Sequence, residues 1–433
     1  MLLVYTSNIT PRLKYIFNQI CTRILGISVN FTTKVENFIS YQGAKISYAP
    51  QRLGNEFFIK SHGLLFQRGI SDIEINVQDW GNTKCFFYLG VTSNLPFDIF
   101  SAAFYLISRY EEYLPYVKDN YGRFTKKDSL SFKYNFLSQP VVDIWALYFK
   151  NELKKYFPDQ KFPEKKYKIE PIIDIPMAYY FKHKGLFRTL GGVFSDLINL
   201  RFQLFYDRFF VLSKLKKDPY DNYNWIINRQ KKTNNRFTLF FLVGDYTSFD
   251  KNISINKKSF ITLIKSMRDY CEVGLKCSFA ALGDFSILKK EKEQLDNVLN
   301  STTNKVRASF SKVNLPTAYR NYIDLEIKKD YSMGYPDEIG FRAGTSFPFL
   351  FYDIDNEIQT PLTIHPYQVM DFSLLKHESY LDKKETLEKA IEEVKKVGGI
   401  FTPIFHNYSF SKLERWNDFK SLFNIILEST DEF

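Results

Sequence analysis

The sequence contains few of the residue types that build metal, redox and disulfide sites. Its 433 residues include five histidines and four cysteines. The cysteines are Cys21, Cys85, Cys271 and Cys277, and even the closest pair lacks the CxxC spacing of a metal or redox motif. This spacing indicates neither a disulfide framework nor a zinc module, and it is typical of a protein in a reducing compartment.

Motifs of several common protein classes are missing as well. The chain has no GxGxxG, no GKS or GKT loop, no GxSxG and no HExxH. Dinucleotide-binding enzymes, P-loop enzymes, elbow-type serine hydrolases and zincins therefore lose their usual support. No stretch matches a nucleic-acid-binding signature, so we expect no nucleic-acid partner.

Long uninterrupted apolar runs are also missing. The first residues, MLLVYTSNITPRLKYIF, contain a polar stretch and Pro11 where a signal peptide needs a continuous apolar region. The most membrane-like stretch, residues 85–108, contains Pro96 and Asp98, which are unfavourable in hydrocarbon. We therefore expect no transmembrane segment and a cytoplasmic location.

The composition supplies ample material for hydrophobic cores. Hydrophobic residues make up 45% of the chain, with 43 Phe and 29 Tyr, which excludes a disordered protein. The length exceeds the size at which a single core stops growing, so two or more domains are expected. The charged segment KNELKKYFPDQKFPEKKYK, with two prolines, predicts a boundary that separates residues 1–160 from residues 161–433.

The balance of charge is basic, with 59 Lys and Arg against 48 Asp and Glu and a net charge of +11. Such a balance is compatible with nucleic acid, phosphorylated glycan or an anionic membrane surface as partner. The basic residues are interspersed with acidic ones and form only short runs, such as Lys216-Lys217. We therefore favour a solvated basic surface as the explanation of the charge.

Short apolar runs alternate with helical patterns after the boundary. Predicted strands are residues 169–174, 237–243, 272–277, 306–310, 339–342, 362–365 and 399–406. Predicted helices are residues 193–214, 220–229, 258–270, 285–299, 317–327, 383–397 and 412–427. About seven strands with intervening helices predict a parallel α/β architecture, barrel-like or open, in which the carboxyl ends of the strands build the site.

Chemistry-bearing side chains lie at these strand ends. They are Asp174, Asp245, Lys276, Ser309, Arg342, His365 and His406. Together they would form a polar mouth for an anionic or polyhydroxy ligand. Asp245 is equally well explained as a turn cap, and a backbone hydrogen bond is the favoured role of His365. His406 ends an otherwise apolar strand and is therefore the stronger functional candidate.

Two further charged groups have structural explanations. Arg342 lies between Gly340 and Gly344, which permit close backbone approach, and a buried guanidinium there requires an anionic partner. In the N-terminal region, SRYEEYLPY places Arg109 beside two glutamates. These three charged residues are consistent with a polar functional cluster. Apolar residues at helical spacing around them indicate a structural helix equally well.

Eight segments of the chain are similar to those of a known protein family. Two lie in the first part, FDIFSAAFYLISRYEEYLPYVKDNYGRF and QPVVDIW. Six lie in the second part, DIPMAYYFKHKG, FLVGDYTSFDKN, VGLKCSF, DYSMGYPDEIGFRAGTSFPFLFYD, IHPYQVMD and GGIFTPIFHNYSFS. In this order they resemble a bacterial family in which a domain of unknown function precedes a polysaccharide deacetylase-like domain, related to carbohydrate esterase family 4. The resemblance implies a deformed (β/α) barrel of about seven strands that follows an N-terminal α+β domain. It also implies a function in carbohydrate metabolism on N-acetylated or O-acetylated glycans.

Active relatives use an aspartate base and a divalent metal, usually zinc, which polarises the acetyl carbonyl and activates water. The resemblance implies catalytic roles for Asp174, Arg342 and His406. We predict substrate-binding roles for four other residues, Asp245, Lys276, Tyr331 and His365.

The expected metal ligands are replaced at three strand ends. Pro176, Lys276 and Ser309 stand where relatives carry a carboxylate and two imidazoles. Because a catalytic zinc needs about three protein ligands, we expect zinc to be absent. Zinc binding would require Asp174, His365 and His406 to converge on one position.

The replacement by Lys276 suggests a specific hypothesis. Its ammonium would occupy the volume of the metal and pair with Asp174. The alternative is a lysine that extends to solvent from the strand end.

Three functions remain open from the sequence. The first is a deacetylase-like hydrolase with an altered site, and the second is an inactive relative that binds a glycan or serves as a scaffold. The third is attachment to a membrane or anionic polymer through the aromatic, basic helix RFQLFYDRFFVLSKLKK, which contains Arg201, Arg208, Lys214, Lys216 and Lys217. A helix of this kind more often packs on its own core. The oligomeric state stays open.

Overall fold

The computed structural model describes residues 1–430, which form two compact units. The first unit comprises Met1–Lys168, Lys312–Val369 and Glu388–Phe401. The second unit comprises Ile169–Ser311, Met370–Leu387 and residues 402–430. The boundary expected between residues 160 and 161 stays a prediction.

Six strands and five α-helices lie before residue 160. The strands are β1 (Leu2–Tyr5), β2 (Val29–Thr32), β3 (Lys45–Ala49), β4 (Phe57–Lys60), β5 (Gln78–Trp80) and β6 (Thr83–Cys85). The helices are α1 (Pro11–Phe17), α2 (Val35–Ser40), α3 (Ile99–Ile107), α4 (Leu130–Lys133) and α5 (Val141–Tyr156), and a π-helical segment, Asn18–Ile24, continues α1.

Eleven strands and nine α-helices follow within the described residues. The strands are β7 (Lys168–Ile169), β8 (Ile172–Ile175), β9 (Thr238–Leu242), β10 (Glu272–Cys277), β11 (Lys305–Ala308), β12 (Lys329–Asp330), β13 (Phe349–Asp353), β14 (Ile358–Ile364), β15 (Val369–Met370), β16 (Ile400–Phe401) and β17 (Pro403–His406). The helices are α6 (Leu186–Ile198), α7 (Phe202–Leu212), α8 (Tyr223–Gln230), α9 (Lys258–Arg268), α10 (Phe285–Leu299), α11 (Thr317–Asp324), α12 (Asp371–Leu374), α13 (Tyr380–Lys396) and α14 (Phe419–Glu428).

The first unit contains a four-stranded sheet in the order β2-β1-β3-β4. All of its strand pairs are parallel, and β5 and β6 form a separate antiparallel ribbon. Helix α3 packs through aromatic rings, because Phe17 stacks on Phe100 with ring centroids 3.6 Å apart. The sequence predicted an α+β arrangement for this region, and its main sheet is parallel throughout.

The second unit is organised around a parallel sheet in the order β11-β10-β9-β8-β17. Its central strand β9 reads TLFFL and is buried at every position. A continuous apolar run of this kind is expected where both faces of a parallel sheet are covered. Amphipathic helices such as α9 supply the cover, since Phe260, Ile264 and Met267 are buried on one of its faces.

Most of the predicted elements after residue 168 are present, but four predictions differ from the structure. The strand predicted for residues 399–406 is two strands, β16 and β17, which lie in different sheets. The helix predicted for residues 412–427 begins only at Phe419. Residues 339–342 form a turn and no strand, because Gly340 adopts a φ of +151° and lies so close to Leu137 that a Cβ would meet the Leu137 carbonyl oxygen at 2.5 Å. The single helix predicted for residues 193–214 is two helices, α6 and α7. Leu200, with a φ of +54°, lies in the turn between them.

The mixed α/β architecture with mainly parallel strands agrees with the predicted fold class. Closure of the strands into a barrel stays a prediction. Among residues 1–430, no helix combines the length and the apolar character that crossing a bilayer requires.

Candidate functional site

The strand register of the second unit places charged side chains on one side of the sheet. Lys276 of β10 is the register partner of Arg307 of β11, and His406 of β17 is the partner of Asp174 of β8. These four residues lie at or near the carboxyl ends of parallel strands, where ligands of α/β proteins bind. Strand β9, which carries only apolar residues there, separates the two pairs.

Asp174 is the centre of this cluster. Its Oδ2 accepts hydrogen bonds from Lys276 Nζ at 2.6 Å and from Arg307 Nε at 2.8 Å. All three side chains are almost completely buried. The predicted ion pair between Lys276 and Asp174 is thereby confirmed, and the alternative of a lysine extending to solvent is wrong. We call Asp174, Lys276, Arg307 and His406 the strand-end cluster.

The two cations control the protonation of Asp174. Burial alone would raise the pKa of this carboxyl, but the charges of Arg307 and Lys276 outweigh it and hold the pKa well below its usual range. Burial lowers the pKa of the Lys276 ammonium, and Asp174 opposes this effect. The other carboxylate oxygen, Asp174 Oδ1, is buried and has no hydrogen-bond partner among the described residues. Asp174 is therefore ionised, and its Oδ1 is an acceptor without a hydrogen bond.

His406 is oriented by a second carboxylate, Asp371, at the start of α12. The imidazole Nδ1 lies 2.9 Å from Asp371 Oδ1, and the backbone N–H of His406 donates to Asp371 Oδ2 at 2.7 Å. The hydroxyl of Ser409 also donates to Asp371 Oδ2. The other ring nitrogen, Nε2, lies 3.7 Å from Asp174 Oδ2, so His406 belongs to the cluster.

Further carboxyl groups lie near the carboxyl end of β10. Glu291 Oε2 accepts the backbone N–H of Ser278 at 3.0 Å, and burial raises the pKa of Glu291 to about 7. Asp250 accepts the backbone N–H of Phe279 at 2.8 Å, and burial raises its pKa as well. The absence of a side chain at Gly244 makes room for Glu291, since a Cβ there would lie 2.4 Å from Oε1.

The donors of the strand-end cluster do not fit the zinc ion that the resemblance implies. Two cations hold Asp174 Oδ2, and Asp371 occupies one imidazole nitrogen of His406. Asp174 Oδ1 and His406 Nε2 remain, whereas a catalytic zinc needs about three protein ligands. Within residues 1–430, no three His, Cys, Asp or Glu side chains form a group suited to a metal ion. The convergence required of Asp174, His365 and His406 is therefore not observed.

Arg342 belongs to the first unit and has the anionic partner that the sequence required. Its guanidinium forms two hydrogen bonds to Glu112, from Nε to Oε1 at 2.9 Å and from Nη2 to Oε2 at 2.7 Å. Arg109 Nε donates to the same Oε1 at 2.8 Å, and Arg109 Nη2 donates to Glu111 at 2.6 Å. Burial opposes ionisation of Glu112, but the two arginines lower its pKa. The four buried groups form a closed network of two arginines and two glutamates.

The other predicted site residues lie in different settings. Asp245 is exposed at the surface of the second unit and pairs with Lys290 at 2.9 Å. His365 and Tyr331 lie in the first unit, where their rings stack with centroids 4.5 Å apart. Ser309 is buried in the turn after β11, and Pro176 follows β8.

Sequence reasoning did not assign roles to Arg307 and Asp371. Arg307 lies near the start of the strand predicted for residues 306–310, and the period of two along a strand would have placed it on the same face as Ser309. Asp371 follows the short buried strand β15 in IHPYQVMD, a segment that carried the resemblance. A carboxylate directly after a buried apolar pair was the available signal.

A protein-family model matches the first part of the chain. Residues 2–158 match a family described as a family of unknown function, DUF7033. The strand-end cluster lies outside this match. No curated protein sequence matches the chain.

The similar solved structures include polysaccharide deacetylases and an allantoinase. A protein from Mycobacterium smegmatis assigned as a polysaccharide deacetylase is 12% identical, with a TM-score of 0.39 over 62% of this chain and 86% of its own. The Puue allantoinase is 10% identical, with a TM-score of 0.40 over 74% of this chain and 93% of its own. The polysaccharide deacetylase Bc1974 from Bacillus cereus is 10% identical, with a TM-score of 0.29 over 62% of this chain and 88% of its own.

Proposed function

We propose that this protein binds an acetylated sugar of a glycan at the strand-end cluster, without a metal ion and without hydrolysing it. The observation that carries the proposal is the double use of Asp174. Its Oδ2 is held by Lys276 and Arg307, and its Oδ1 is buried without a partner. A ligand N–H or O–H that donates to Oδ1 would satisfy an acceptor whose isolation costs about 1–3 kcal/mol.

The chemistry of the cluster suits a polar ligand that donates hydrogen bonds. Lys276 and Arg307 both pair with Asp174 Oδ2, so their ion pairs leave Asp174 Oδ1 as the acceptor of the cluster. The amide N–H and hydroxyl groups of an acetylated sugar are donors for Asp174 Oδ1. Only 4% of Lys276 and 6% of His406 are exposed, so a small group such as an acetamide fits this position better than a whole sugar ring.

An aromatic surface lies beside the cluster for the rest of the sugar. Phe372 contacts the ring of His406 edge to face, with centroids 5.3 Å apart, and is 38% exposed. The ring of Tyr408 stacks on the same imidazole, with centroids 4.7 Å apart. Apolar and aromatic walls with a few polar groups are typical of small-molecule sites. Phe372 is therefore the residue we assign to the apolar face of the sugar.

The experiment measures binding of N-acetylglucosamine oligosaccharides by calorimetry, with and without EDTA. We expect binding that EDTA leaves unchanged and that Phe372→Ser weakens about tenfold, the effect of losing roughly 1.4 kcal/mol of contact. Phe285→Ser is the matched control, because Phe285 is 40% exposed in the same unit but lies at the start of α10. Absence of binding, or equal loss in both variants, would contradict the proposal.

A second candidate function is metal-independent deacetylation. The pairing of His406 with Asp371 favours it, because an imidazole oriented by a carboxylate is a common general base. Release of acetate from the same oligosaccharides in EDTA, abolished in Asp371→Asn, would establish this function. Binding without acetate release would establish the binding protein.

A further inference from the structure

The second unit carries a helical hairpin whose exposed surface is apolar. We define the apolar hairpin as α6, α7 and the residues that follow α7 up to Leu215. Its exposed large hydrophobic residues are Leu186, Phe187, Leu190, Phe194, Leu197, Ile198, Leu200, Phe202, Tyr206, Phe209, Phe210, Leu212 and Leu215. Phe187 is 90% exposed and Leu215 is 74% exposed. Contiguous patches of this kind mark interaction sites in natural proteins.

The usual arrangement of an amphipathic helix is reversed in the apolar hairpin. In α6 the buried residue is Asp196, and in α7 the buried residues are Arg208 and Val211. Arg208 forms two hydrogen bonds to Asp196 Oδ2, at 2.9 and 2.7 Å, and these join the two helices. A surface helix normally buries its apolar stripe and exposes its charges. Here the ion pair is inside, and the aromatic side chains face outward.

The base of the hairpin is fixed to the second unit. The buried carboxylate of Asp218, which follows the hairpin, accepts the backbone N–H groups of Tyr180, Phe181 and Lys182, which precede it, at 2.8 to 3.0 Å. The Arg208 guanidinium also lies over the ring of Phe181, 4.9 Å from its centroid. The apolar hairpin is thus fixed to the second unit where the chain enters it and where the chain leaves it.

Basic residues surround this surface. Residues 182–217 contain eight Lys and Arg and two Asp, a net charge of +6 out of +11 for the whole chain. Both acidic residues are paired with basic residues of the same segment, Asp196 with Arg208 and Asp207 with Lys216. The positive charge that remains is carried mainly by the two ends of the hairpin and by Arg201 in its turn.

We propose that the apolar hairpin docks this protein on an anionic lipid surface. Exposed aromatic and aliphatic side chains would enter the boundary between headgroups and acyl chains, and the surrounding lysines and arginines would contact acidic headgroups. The helices span 13 and 11 residues, too few to cross a bilayer, so they lie in its plane.

A lipid surface explains the charge better than a second copy of the chain does. A two-fold dimer places the same patch on both partners. Two copies of the segment 182–217, each with a net charge of +6, would then face each other across an apolar contact, and like charges oppose such an association. Negatively charged lipid is complementary to both features of the patch. The proposal does not depend on the glycan site.

The test is flotation of the full chain with vesicles of phosphatidylcholine alone and of phosphatidylcholine mixed with phosphatidylglycerol. We expect binding to the mixed vesicles that falls as salt rises. The variant Lys214→Gln/Lys217→Gln should bind about tenfold or more weakly, since each basic residue near such a surface contributes about a fivefold change. Phe187→Ser/Phe194→Ser should also lose binding, because both side chains are exposed and serve no core.

Matched controls come from exposed apolar residues elsewhere. Val91 is 95% exposed and Leu381 is 72% exposed, so Val91→Ser/Leu381→Ser removes similar apolar surface from other sites. This control should bind mixed vesicles as the natural chain does. The proposal is overturned if the chain fails to float with mixed vesicles, or if the hairpin and control variants behave alike. It is also overturned if sedimentation without lipid reveals a dimer that Phe187→Ser/Phe194→Ser dissolves.

Discussion

The ion pair between Lys276 and Asp174 predicts a large energetic coupling in the second unit. Asp174→Asn leaves Lys276 and Arg307 buried without their carboxylate, and breaking a buried pair in this way costs about 3–5 kcal/mol. Lys276→Met leaves Asp174 paired with Arg307, so it removes one charged hydrogen bond, about 1.5–3 kcal/mol. The double variant lacks the ammonium that Asp174→Asn alone leaves uncompensated. The double variant should therefore lose less stability than the two single variants lose in sum, by roughly 1–3 kcal/mol.

A matched control pair lies on the surface of the same unit. Lys290 and Asp245 are 2.9 Å apart, but their side chains are 57% and 81% exposed. Exposed ion pairs contribute about 0–1 kcal/mol to stability. The double-mutant cycle of Lys290→Met and Asp245→Asn should therefore give a coupling energy close to zero.

The assay is hydrogen exchange at amides of β8 and β10, which reports local opening free energies without assuming that the two units unfold together. Urea unfolding provides the same comparison for the whole chain. The reasoning is refuted if the Asp174–Lys276 coupling is as small as the coupling of the exposed pair. It is also refuted if Asp174→Asn leaves the exchange of β8 unchanged.

Three further predictions concern buried carboxyl groups. The pKa of Asp174 is held below its unfolded value, so its stabilisation is present above that value, near pH 4, and lost at lower pH. The free energy of unfolding should therefore fall less steeply with decreasing pH in Asp174→Asn than in the natural chain. The pKa of Glu291 is raised from 4.5 to about 7, so stability falls as pH rises through that window, and Glu291→Gln should reduce this fall in urea titrations at pH 5 and pH 8. Glu112→Gln leaves Arg109 and Arg342 with one carboxylate fewer and should destabilise the first unit by about 3–5 kcal/mol, measured by hydrogen exchange in α3, with unchanged exchange there refuting the network.

The local structure of the second unit was accessible from sequence where the pattern was strong. The bounds predicted for β10 and α10 agree with the structure, because a buried apolar run and a capped amphipathic repeat leave little freedom. Asp284 caps α10 by accepting the N–H groups of Ser286 and Ile287. The contact of Lys276 with Asp174 was predicted for a different reason, since the resemblance assigned both residues to one site at the carboxyl ends of the strands.

The composition of the cluster was less accessible. Whether Arg307 or Ser309 faces Asp174 depends on the register of β11 against β10, which tertiary packing sets. The role of Asp371 depends on the placement of α12, which begins directly after β15, beside the end of β17, and short-range patterns do not report that contact. Arg342 and His365 were grouped with the strand ends because they end the strands predicted for residues 339–342 and 362–365, and the structure gives both of them partners in the first unit.

The apolar hairpin shows the limit of periodicity alone. The sequence favoured a helix that packs on its own core, because amphipathic repeats usually mean burial. The structure instead exposes Phe187, Phe194 and Phe209 on the outer surface. The inward direction is set by the ion pair of Asp196 and Arg208, which a hydrophobic pattern does not register.

The central claim is that the strand-end cluster binds an acetylated sugar without a metal ion. The most direct measurement determines zinc in the purified full chain and, on the same sample, the binding of N-acetylglucosamine oligosaccharides and the release of acetate. We predict substoichiometric zinc, oligosaccharide binding that persists in EDTA and no acetate. One zinc ion per chain together with EDTA-sensitive acetate release would contradict the claim.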